Sequence, residues 1–141
     1  MPIDERTIRK KLQDLLRYTA KLKKLKRYSF KEISEDLEKT WAIEHGLQLA
    51  IQVIMDIGNH ILVAIGEYEI EDYTDIIDKL GEREVISPEF AEKIRGMAGF
   101  RNILIHEYTD VDISEVHEIV QNRLEDFEQF AKFIDKYLEK K

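Results

Sequence analysis

The sequence predicts an all-α fold, an up-and-down bundle of four principal helices plus one short helix, and three observations predict it. Only two prolines and six glycines punctuate 141 residues. Apolar residues recur at intervals of three and four along most of the length, the spacing of one helix face. Capping residues stand where those periodic runs begin: Asp4, Ser29, Ser87 and Asp112.

Asp4 caps a first helix running to about Arg27, whose buried stripe is Ile8, Leu12, Leu15, Thr19 and Leu22. Ser29 and Glu32 have capping-box spacing and open a second helix near residue 30 that reaches about Gly66. Its first half is amphipathic through Ile33, Leu37 and Trp41; its second half is apolar on most sides, from Leu47 to Leu62. Such a helix belongs at the centre of a bundle that also faces a second subunit. One line on it is polar: Glu44, Gln48, Gln52, Asp56 and His60 follow at four-residue steps. That line is either a solvent-facing stripe or the wall of a cleft in which Asp56 and His60 orient other groups.

Glu67 to Tyr73 reads as a connection, followed by a short helix through Ile76, Ile77 and Leu80 that Gly81 stops. Ser87-Pro88-Glu89 starts the next helix with a cap, a proline at the first helical position and an acid in the first turn. Phe90, Ile94 and Met97 mark its buried seam, and the next step along that seam is Arg101. Gly96 and Gly99 lie a turn apart, which implies close approach by another helix or by a ligand. After a break at residues 109–112, a last helix buries Val116, Val120, Leu124, Phe127, Ala131, Ile134 and Leu138, with His117 on its outer part. No linker or repeat divides the chain, so residues 1–141 form one domain.

The net charge of −7 argues against phosphate-backbone binding across the whole surface, so any contact with nucleic acid is local. The dense basic run Lys21, Lys23, Lys24, Lys26 and Arg27 reads first as a solvated helix end complementing the dipole. The absence of cysteine excludes disulfides and thiolate metal sites. The polar N-terminal stretch has no apolar signal core, and Leu47 to Ile65 is interrupted by Gln48, Gln52, Asp56, Asn59 and His60. A cytoplasmic protein with no membrane span is the expectation.

The chemistry is concentrated in Gly99-Phe100-Arg101-Asn102-Ile103-Leu104-Ile105-His106-Glu107-Tyr108, where Arg101, His106 and Tyr108 have the spacing R-x4-H-x-Y. A permanent cation, an imidazole titrating near neutrality and a phenol suit chemistry on a phosphate. His106 is five residues past Arg101, about 140° around a regular helix, so the two do not share one face. Either the helix is ending near His106 or the two groups meet across a dimer axis. An alternative makes these residues structural: Arg101 paired with Asp56 or Glu44, His106 a C-cap and Tyr108 a packing residue.

With its flanks, Trp41 to His60, Ser87-Pro88-Glu89 and Gly96 to Tyr108, this motif resembles the HEPN superfamily and within it the HepT-like toxins of toxin–antitoxin pairs. The resemblance implies a homodimeric, metal-independent endoribonuclease with Arg101 and His106 catalytic at the subunit interface. It also implies a minimal nucleotidyltransferase antitoxin of the MntA type as partner, which attaches AMP to Tyr108. In such chemistry the 2′-hydroxyl of RNA is the nucleophile, His106 moves protons, Arg101 holds the scissile phosphate and Asn102 positions a phosphate or ribose oxygen. No metal or cofactor is expected, and a 2′,3′-cyclic phosphate is the expected product. A second reading keeps the fold but makes the chain a non-catalytic subunit that binds nucleotide or RNA beside a nucleotidyltransferase.

Overall fold

The computed structural model describes residues 3–105 and 111–140. Helix α1 (Glu5–Lys24) starts where Asp4 accepts from the Thr7 N–H at 3.1 Å. It ends in a 3-10 turn, Leu25–Arg27. Its predicted stripe Ile8, Leu12, Leu15, Thr19 and Leu22 is buried, the Thr19 hydroxyl donating to the Leu15 carbonyl at 2.8 Å.

The Ser29–Glu32 capping box forms, but it opens only a short helix, α2 (Phe30–Glu35). The long helix is a separate one, α3 (Leu37–Ala64), because Asp36 adopts extended backbone and caps it, accepting from the Glu38 and Lys39 N–H groups. Thr40 ties the two together by donating to the Ile33 carbonyl at 2.8 Å. Gly66, with φ of +92°, turns the chain away after α3.

Helix α4 (Tyr73–Glu82) includes Gly81 rather than ending before it. The glycine serves packing: a Cβ there would lie 2.7 Å from the Ala91 Cβ, so it lets α4 close on the following helix. The positive φ after α4 is at Glu84, +58°.

The predicted helix from Ser87 to the motif is interrupted at Arg95, giving α5 (Pro88–Ile94) and α6 (Gly96–Ile105). The last helix is likewise divided at Arg123 into α7 (Ile113–Asn122) and α8 (Leu124–Glu139). The two interruptions meet: Arg123 donates to the Lys93 carbonyl at 3.2 Å and to the buried Asp126, which also pairs with the Lys93 ammonium at 3.2 Å. Arg95 in turn donates twice to Asp78 of α4, at 2.9 and 3.3 Å. Of the two approaches expected at Gly96 and Gly99, that of another helix is not seen among the described residues: a Cβ at either would meet nothing within 4 Å.

The architecture is the predicted helical bundle with three of its long helices interrupted. Helix α3 is its centre, in contact with α1, α4, α6, α7 and α8. By length and composition α3 would also suit a membrane span, but half of its most apolar stretch is buried inside the bundle. His117 touches the bundle after all, its ring edge-on to Phe30 at 6.0 Å between centroids. Ile54 is fully buried in this centre, so Ile54→Ala is expected to cost about 2–5 kcal/mol, read as a lowered denaturant midpoint at unchanged slope.

Candidate active site

Arg101 lies in the second turn of α6, on the face turned towards α3 and α4. Its Nε and Nη2 both donate to the Gln52 Oε1, at 3.0 and 2.7 Å. The guanidinium carbon stands 4.2 Å from the ring centre of Tyr73, the first residue of α4. A stacked face and a doubly accepting oxygen fix the plane of the guanidinium.

Gln52 is fixed from its other end. Its Nε2 donates to the Asp56 Oδ1 at 2.8 Å, and the Asp56 Oδ2 lies 3.7 Å from the Lys11 ammonium. Arginine only donates and a carboxylate only accepts, so turning the amide over would spoil both contacts. Lys11 of α1, Asp56 and Gln52 of α3 and Arg101 of α6 thus form one chain of contacts across three helices.

The partner of Arg101 is neutral. An amide oxygen orients the guanidinium without cancelling its charge, which a carboxylate would do. Two of its five N–H donors are used, and the other three have no acceptor among the described residues. This arrangement can receive an anionic oxygen. Neither Asp56 nor Glu44, the carboxylates expected to pair with Arg101 in a structural role, touches it directly. Burial pushes the Glu44 carboxyl above its ordinary range, as suits a half-buried acid on this line.

His60, which continues the polar line, is engaged elsewhere: its Nε2 accepts the Asp4 N–H at 3.3 Å at the start of α1. Eight residues beyond Gln52, it lies about 12 Å further along the helix. The Asn102 side chain is exposed and makes no hydrogen bond to the described residues. His106 and Tyr108 lie outside the described residues. Among the described residues no three His, Asp or Glu side chains converge as metal ligands.

Two residues of this cluster escape a reading by motif. Gln52 stands on the polar line, but its pairing with a residue 49 positions away has no sequence signal. Tyr73 reads as the end of a connection; the sign of its position is Asp72, which caps α4 and so places the next residue at a helix start.

Residues 15–134 match the family described as Ribonuclease HepT-like. The tRNA nuclease HepT of Aphanizomenon flos-aquae is 30% identical over 131 residues, 93% of this chain and 89% of that one. The mRNA nuclease HepT of Shewanella oneidensis is 32% identical over 92 residues, 62% of this chain and 66% of that one. A solved structure of a tri-AMPylated Shewanella oneidensis HEPN toxin in complex with MNT antitoxin has a TM-score of 0.82. That match has 25% identity over 92% of this chain and 96% of that one. A match that spans most of the sequence, on the same helical bundle, places this chain in the HepT-like family of HEPN ribonucleases.

Proposed function

We propose that this chain is the toxin of a toxin–antitoxin pair and cleaves RNA as a metal-independent endoribonuclease. The observation that carries the reading is Arg101, oriented by a neutral amide with three N–H donors to spare. Those donors bind the scissile phosphate and stabilise the charge that builds on its oxygens in the transition state. His106 takes the proton of the 2′-hydroxyl, whose oxygen attacks the adjacent phosphorus; the 5′-oxygen leaves with a proton, and a 2′,3′-cyclic phosphate remains. Asn102 steadies a phosphate or ribose oxygen. Asp56 acts on this site through Gln52, as a positioning residue, and His60 is assigned to the start of α1 instead.

The working unit is a homodimer in this reading. One chain supplies one Arg–His pair, and a two-fold axis joining two motifs supplies a second acid/base. The open surface at Gly96 and Gly99 leaves room for another backbone to approach. Leu37 and Trp41, each 60% exposed, continue the Gln48–Gln52 line and give such an interface an apolar margin.

The partner is a minimal nucleotidyltransferase of the MntA type, as in the antitoxin complex of the Shewanella protein. AMP added to Tyr108 would place bulk and negative charge two residues from His106 and block a phosphate site. The setting is the cytoplasm. The net charge of −7 favours a second reading, a non-cleaving nucleotide- or RNA-binding subunit of the nucleotidyltransferase.

Purified protein, its mass confirming that no AMP is attached, is incubated with total RNA in EDTA. Cleavage leaving cyclic-phosphate ends is the expected result. RNA that stays intact under these conditions would favour the second reading.

A further inference from the structure

The charge on the outer face of α1 has no part in the site around Arg101. Arg6, Lys10, Arg17, Lys21 and Lys24 are all exposed, as is Gln13, which fills the gap between Lys10 and Arg17. At 100° per residue the five cations fall in a sector about 60° wide, opposite the buried line Ile8, Leu12, Leu15, Thr19 and Leu22. From Arg6 to Lys24 the stripe is about 27 Å long.

This stripe belongs to a segregation of charge within an acidic chain. Residues 5–27 hold ten Lys and Arg against two carboxylates, a net of +8, and the remaining residues carry −15 to give the total of −7. Cations of α1 outside the stripe pair with neighbouring helices: Arg9 with Asp135, Lys11 with Asp56, Lys23 with Glu128. Within the stripe Arg17 meets Asp14 at 3.3 Å, and the other four have no ion pair among the described residues. Four cations therefore have no acidic partner among the described residues, although acids outnumber bases.

The helix dipole does not account for it. Cations are favoured only over the last turn, whereas Arg6 and Lys10 stand in the first two turns, where the dipole opposes them. A protein partner is also a poor fit, because no apolar side chain lies within the stripe and the centres of protein interfaces are depleted in charge. A polyanion suits a long, straight, uncompensated row of cations.

We propose that the outer face of α1 is a docking surface for the phosphate backbone of RNA, separate from the Arg101 site and acting with it. The choice of RNA rests on the nuclease reading. Lys11, about a third of a turn around α1 from the stripe, meets Asp56, so the stripe flanks the side of the bundle that carries Arg101. An acidic protein repels RNA at long range, and this stripe supplies the local attraction that presents a strand to the site.

The test measures binding of a fluorescein-labelled single-stranded RNA to the full chain carrying His106→Ala, by anisotropy across a salt series. One variant adds Arg6→Gln, Lys10→Gln, Arg17→Gln, Lys21→Gln and Lys24→Gln. A control of equal net charge adds Lys31→Gln, Arg83→Gln, Lys132→Gln, Lys136→Gln and Lys140→Gln, and melting curves confirm that both fold. The stripe variant is expected to bind about tenfold or more weakly at low salt, with the slope of log affinity against log salt reduced by about 3, since each single-strand phosphate contact contributes ~0.7. The control is expected to keep most of the wild-type slope.

Equal losses in both variants, an unchanged slope, or no RNA binding by the parent chain would each overturn the proposal. So would a stripe variant that keeps its RNA affinity but no longer binds the nucleotidyltransferase. Binding is read here without cleavage, so a stripe that binds RNA in a chain that cuts none would remove the nuclease reading and leave this one standing. Cleavage by the wild type beside an unaffected stripe variant would do the reverse.

Discussion

Arg101→Ala is expected to lower RNA cleavage by about 10²–10³-fold, the effect of removing a donor that stabilises charge in a transition state. His106→Ala is expected to cost about 10²–10⁴-fold, the usual worth of a positioned acid/base. The double variant should be little worse than the weaker single one, because the two groups act on one transition state and their losses do not add. Arg101→Lys should restore little, since an ammonium cannot present paired N–H donors from a plane held by Gln52 and Tyr73. Single-turnover rates on one labelled RNA, beside melting curves for each variant, check this. Variants that fold and cleave like wild type would remove both residues from the mechanism.

Gln52→Glu, although nearly isosteric, is expected to lower kcat/KM by about tenfold or more. A carboxylate there would still accept from Arg101, so the geometry survives. It would cancel the guanidinium charge that phosphate must feel, and it would set a second acid against Asp56, which the Gln52 amide now contacts at 2.8 Å. Gln52→Met separates orientation from charge: it removes the acceptor but leaves Arg101 charged, and its loss is expected to be smaller. Glu more active than Met would mean that orientation alone matters and that the neutrality of Gln52 is incidental.

The helix starts were legible because capping is local. Asp4, Ser29, Ser87 and Asp112 each accept from an N–H two or three residues ahead, and the residue types that do so are few. Asp36 belongs to the same class but lay inside an unbroken apolar period, which hid it. The interruptions at Arg95 and Arg123 had no local sign. Arg95 is bonded to Asp78 and Arg123 to the Lys93 carbonyl, 17 and 30 residues away, and such partners appear only once the helices are packed. The glycines divide the same way: Gly81 was legible as a special position, but packing against Ala91 rather than a helix end is its reason.

The stripe on α1 is present in the sequence as steps of three, four and seven residues, but only the dense run at its end stands out there. Its meaning depends on which cations find partners, and that is a property of neighbouring helices.

The sequence by itself determined the all-α class, the buried faces and the stretch that carries Arg101, because periodicity, caps and spacing act within a few residues along the chain. Tertiary structure alone decided what Arg101 touches. Gln52 and Tyr73 reach it from other helices, and whether a cation on an apolar seam is neutralised or left available depends on the group that the fold brings opposite it.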